Sequence, residues 1–177
     1  MKRLTYLMSA LLIVFALGAC EQQEVAPDAS IQDELSKMNG KKVMNFRAHL
    51  SGDNEVPPVD TDATGQAIFQ YKDGMLHFKL IVANIDDIFM AHIHMAPAGQ
   101  NGGVVAWLYP PDGPPPSLID GKSNGILAEG EISEEDLKGS LEGKELMALI
   151  AAMKAGNTYV NVHTSSFGGG EVRGQIF

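Results

Sequence analysis

The sequence predicts a mainly β protein, an antiparallel β-sandwich or Greek-key barrel of about eight strands with one or two short helices before the last two. Three observations predict it. Apolar and polar residues alternate over successive short runs, clusters of Gly, Pro, Asn and Asp break those runs, and helical spacing is confined to a late stretch.

The first strand opens at Val43, where Met44, Phe46, Ala48 and Leu50 alternate with Asn45, Arg47 and His49. The segment SGDNEVPP then turns the chain, and a second strand covers 64–71. Lys72-Asp73-Gly74 carries the Asp-Gly hairpin signal. Residues 75–83 follow, with Leu76, Phe78, Leu80 and Val82 on one face. Further strands are predicted at 89–95, 104–109 and 125–132, with 110–124 an irregular proline-rich loop. Ser133 with Asp136 resembles a helix N-cap, opening a short turn. In 145–155, Leu146, Leu149, Ile150 and Met153 fall at helical spacing, and Gly156 stops the helix. Strands at 158–164 and 171–177 finish the chain.

Before Val43 the texture differs. Lys2 and Arg3 precede the apolar run LLIVFAL, a secretory signal too short for a membrane span. It closes on Leu17-Gly18-Ala19-Cys20, which resembles the lipobox of bacterial lipoproteins. The expectation is a signal peptide over 1–19, an acyl-modified Cys20 and a flexible acidic spacer to residue 42, with a short helix around 31–38. Ordinary cleavage, leaving Cys20 a free thiol, is the alternative. Glu21 is not the aspartate associated with inner-membrane retention, so the outer membrane, facing the periplasm or the cell surface, is the expected address.

Of 13 basic residues, removal of Lys2 and Arg3 leaves 11 against 22 acidic ones, a net charge of −11 for residues 20–177. That balance argues against nucleic acid and against electrostatic docking on anionic lipid, so membrane attachment rests on the lipid alone. With a single cysteine, no internal disulfide can form.

Strand parity sorts the five histidines. In Ala91-His92-Ile93-His94, Ile93 takes the core face and both histidines the outer one. In Tyr159-Val160-Asn161-Val162-His163 the valines point inward and His163 outward. Val172 and Ile176 likewise send Arg173 outward. Three imidazoles and a guanidinium could share one outer surface if the strands are neighbours. An H-x-H pair on a strand projects two rings roughly 6–7 Å apart, able to converge on copper or zinc, and a third histidine would leave an open position. The other reading makes His92 and His94 hydrogen-bonding surface residues packed under the following loop. Met90 shares their parity; its thioether would favour copper(I) or fill a gap. His49 and His77 sit on polar faces and are expected to be solvated.

No nucleophile motif, phosphate loop or C-x-x-C is present, so no catalytic residue is assigned. Phe167-Gly168-Gly169-Gly170 reads as a loop needing positive φ or close backbone approach. Glu55 and Glu171 could order loops or bind an ion, or simply be solvated.

The segments FRAHLSGDNEVPPVDTDATGQAIF, AHIHMAPAGQNGGVV and YVNVHTSSFGGGEVRGQIF together resemble the CHRD domain, a module named for chordin. The resemblance runs from about Met44 to Phe177 and implies an extracytoplasmic β-sandwich. A more distant likeness is to the copper side of copper–zinc superoxide dismutase, through His92-x-His94, His163 and Arg173. It implies a copper site with Arg173 guiding an anion or supporting the ligands. The bridging histidine, zinc loop and cysteine pair have no counterpart, which puts dismutase activity in doubt. The expected function is thus an envelope-anchored binding module with a copper or zinc site on the sandwich surface. The alternatives are a metal-independent module for protein, matrix or polysaccharide, in which the 107–109 region offers contacts, and a dismutase-like redox enzyme.

Overall fold

The computed structural model describes residues 43–177 as one β domain. The signal segment, Cys20, the spacer to residue 42 and the helix expected around 31–38 lie outside the described residues.

Among the described residues seven strands form the sheet: β1 (Met44–Ser51), β2 (Thr64–Lys72), β3 (Met75–Met95), β4 (Gly103–Tyr109), β5 (Ile119–Ile132), β6 (Thr158–Thr164) and β7 (Val172–Gln175). All pairings are antiparallel. Pairing runs β1–β2–β3–β6–β7 and back to β1, closing a five-stranded barrel, while β4 and β5 are extra strands on β3. Closure rests on Ser51 opposite Arg173 and on reciprocal backbone bonds between Arg47 and Phe177, 2.9 and 3.0 Å. Gly174 is required at this seam, because a Cβ there would strike the His49 carbonyl.

The alternation does what it predicts in β1 and β2. Phe46, Ala48, Leu50, Ala67, Phe69 and Tyr71 are buried and the residues between them face outward. Asp73 and Gly74 both take positive φ, 52° and 85°, the geometry of a tight hairpin. α1 (Leu146–Lys154) buries Leu146, Leu149, Ile150 and Met153 in the same core. Ser133 and Asp136 form a capping box over the 3₁₀ turn Glu134–Asp136.

Two expectations are corrected. Segments 75–83 and 89–95 are not separate strands but one of 21 residues, β3. Asn84 and Asp87, at φ 55° and 53°, bend it without ending it, because these side chains tolerate the left-handed region. The register shifts there switch the inward parity from even residues (Leu76 to Val82) to odd ones (Ala91, Ile93). The irregular loop is also shorter than 110–124, since β5 begins at Ile119 and pairs with the bent part of β3. Turn residues read as breaks in sequence thus include bends inside continuous strands.

Candidate metal centre

The bend in β3 hands its second half to β6 on one side and β4 on the other. His94 faces Tyr159 in register, His92 faces Asn161, and Met90 faces His163. Parity places His92, His94 and His163 outside the barrel core, as their apolar neighbours require. They are nevertheless buried, with 2, 8 and 5 % exposure. The expected surface site is therefore corrected to an interior one. Loops 97–102 and 165–170 fold over that flank, and the half-buried Trp107 meets His92 edge-on at 4.3 Å. Met90 is half-buried beside them.

One ligand atom from each histidine can be chosen so that all three lie within 4.8 Å of one another. His92 Nδ1 and His163 Nε2 are 3.2 Å apart. Two nitrogens bound to zinc at tetrahedral angles would be about 3.3–3.4 Å apart, so this edge already fits an ion. Backbone carbonyls fix two tautomers: His94 Nδ1 donates to Gly102 O at 2.9 Å, and His163 Nδ1 to Gly168 O at 3.0 Å. Each leaves Nε2 as a lone pair, the arrangement of metal-binding histidines oriented by an outer acceptor. Without an ion, His92 Nδ1–H donates to His163 Nε2, and the Nε2 atoms of His92 and His94 have no partner among the described residues.

Electrostatics keep these rings neutral. Burial, followed by the neighbouring His163 and His94, holds His92 down to about 3. Burial lowers His163 to about 4 against the pull of the Gly168 carbonyl, with His94 lowering it further. His94 is also lowered, again chiefly by burial. At neutral pH all three are unprotonated donors, as copper or zinc requires.

Arg173 is 1 % exposed. It donates to Asn101 Oδ1 at 3.0 Å and Gln100 O at 2.7 Å, and its guanidinium lies 3.4 Å over the Tyr159 ring. Tyr159 stacks in turn on His94, 4.8 Å away and 8° from parallel. Glu171 is buried and accepts from Thr61 at 2.7 Å and Thr164 at 2.6 Å, which ties two loops together. Glu55 is buried too; loss of solvation raises its pKa, against the Arg173 charge and hydrogen bonds from Val56 and Asn161. Gly170, at φ 124°, could carry no side chain without striking Glu55 and Asn161, so the glycine run does mark a close approach. His49 is exposed. His77 lies half-exposed beside Glu131, 3.2 Å away. Tyr159 and Asn161 were legible only as sharing the parity of His163.

Fold and centre together define a class: a small closed antiparallel barrel with a buried three-histidine cluster on one flank. The chain belongs to the CHRD domain family, whose model matches residues 46–176. No curated protein and no solved structure matches it.

Proposed function

We propose that this CHRD domain is an envelope-anchored module that holds one copper or zinc ion through His92, His94 and His163. The observation that carries the reading is the convergence of three neutral, buried imidazoles within 4.8 Å, two of them with their proton committed to a backbone carbonyl. A dry cluster of lone pairs is costly to fold and useful to a cation. Arg173 supports the ligands in this reading: it fixes loop 97–102, whose Gly102 carbonyl sets the His94 tautomer. The proposal stops at holding the ion and assigns no turnover of the superoxide dismutase kind. Titration of the purified full chain with Cu⁺, Cu²⁺ and Zn²⁺ tests it. Wild type should bind one ion, and the triple His→Ala variant should bind at least a hundredfold more weakly; equal behaviour of the two sinks the reading.

The address is proposed from sequence alone, on Cys20 and the signal segment before it. Cys20→Ser should release the protein from membranes; an unchanged membrane fraction would remove the anchor.

A second reading is a metal-independent contact module for envelope protein or polysaccharide. A cleft of about 750 Å³ between β1, β7 and the loops favours it, lined by Arg47, His49, Asp53, Gln66 and the exposed Phe177. Binding to envelope extracts that survives chelator would support this reading, and loss with chelator would remove it.

A further inference from the structure

Asn161 has no part in the reading above, yet it sits at the middle of the centre. On β6 it lies opposite His92 on one side and Arg173 on the other. It is two residues before His163, hence on the same face, and 3 % exposed. Its Nδ2 reaches toward Gly169 O at 3.5 Å. Nδ2 and Glu55 Oε1 also crowd the one position that a Cβ on Gly170 would take. The Gly169 carbonyl accepts from the amide nitrogen and the Glu55 carboxylate lies on the same side, which leaves Oδ1 on the other. Asn161 lies close enough to His94 to favour a positive charge on its ring.

The acceptor census then points one way. Among the described residues, Asn161 Oδ1 and His94 Nε2 are both buried without a partner. His94 cannot supply a proton to Oδ1, because its proton is held on Nδ1 by Gly102. Buried lone pairs without a donor are rare in folded proteins, and one cation would satisfy both of these together.

We propose that Asn161 Oδ1 is the fourth donor of the centre, making it a three-nitrogen, one-oxygen site for a divalent cation, with Glu55 and Gly169 orienting the amide. This rests on the metal reading and narrows it. A neutral carbonyl oxygen is a hard ligand, which strengthens binding of Zn²⁺ or Cu²⁺ and adds little for Cu⁺.

Chelator competition on the full chain tests the assignment. Asn161→Leu, close in volume but without the oxygen, should weaken Zn²⁺ by about tenfold or more while Cu⁺ changes less than about threefold. The visible spectrum of the Co²⁺-loaded protein should shift in the same variant. Unchanged Zn²⁺ affinity and an unchanged Co²⁺ spectrum overturn the role of Asn161 and leave the metal reading standing. A wild type that binds no metal overturns both. If Asn161→Leu does not fold, Asn161→Asp made together with Glu55→Gln keeps an oxygen ligand and an amide beside it. That variant should hold Zn²⁺ at least as tightly as wild type, and weaker binding overturns the proposal.

Discussion

The two halves of β3 carry the same residue type on outward positions and treat it in opposite ways. In the first half, His77 points away from the core formed by Leu76, Phe78 and Leu80, and its side chain is 42 % exposed beside Glu131. Lys79 next to it pairs with Glu129 at 3.0 Å, also in water. In the second half, His92 points away from Ala91 and Ile93 and is 2 % exposed. Parity is equivalent in both; covering is not. Strand β5 flanks the first half and leaves its outer face open, whereas two loops, Trp107 and Tyr159 close over the second. A histidine in water pairs with a carboxylate at the surface for little net stability. A histidine in a dry pocket beside two others must stay neutral and becomes a ligand.

The largest test of this contrast is metal-linked stability. Saturating wild type with its ion at about a thousand times its dissociation constant should add about 4 kcal/mol, a rise of roughly 10 °C in melting temperature. The triple His→Ala variant should show no rise, and calorimetry with and without ion reads the difference. An equal rise in both would mean the ion binds elsewhere.

Arg173→Met comes next. It strips the Asn101 and Gln100 acceptors of their buried donor and should cost about 2–4 kcal/mol in urea unfolding. Arg47→Met, on the exposed face of β1, should stay within about 0.5 kcal/mol.

Acid should separate the halves further. In the unfolded chain these imidazoles take up protons below 6.5, but in the fold His163 waits until about 4 and His92 until about 3. Protons then favour the unfolded state, so stability present above pH 6.5 is lost as pH falls through that window. The loss between pH 7 and pH 4 should be on the order of a few kcal/mol for the metal-free protein. Glu55 works oppositely: raised above 4.5, it holds its proton more tightly folded than unfolded and offsets part of the loss at the acid end. Urea midpoints across this range, compared with the triple His→Ala variant, give the histidine share; parallel curves would mean that share is absent.

The smallest expected effect is that of His77→Ala, within about 0.5 kcal/mol and with no change in metal affinity. A larger change would show that the open half of the strand is coupled to the covered one.

Much of this was legible in one dimension. The apolar alternation of Phe46 to Leu50 and the Asp73-Gly74 turn placed strands because the pleat has a period of two and the turn demands positive φ. The same period put His92, His94 and His163 on one side of the barrel. What misled was local as well: Asn84 and Asp87 look like a loop because their side chains favour turns, yet they bend a strand that β5 holds through the bend. The chain's own residues thus determined fold class, strand faces and the identity of the three imidazoles, since those follow from covalent geometry and nearest neighbours. Tertiary structure alone decided that β3 is continuous, that loops 97–102 and 165–170 bury the cluster, and that Arg173, Tyr159 and Asn161 join it. The assembly of the centre depends on contacts between residues more than 70 positions apart, Arg173 with Asn101 and His92 with His163, and no local period encodes what will cover a face.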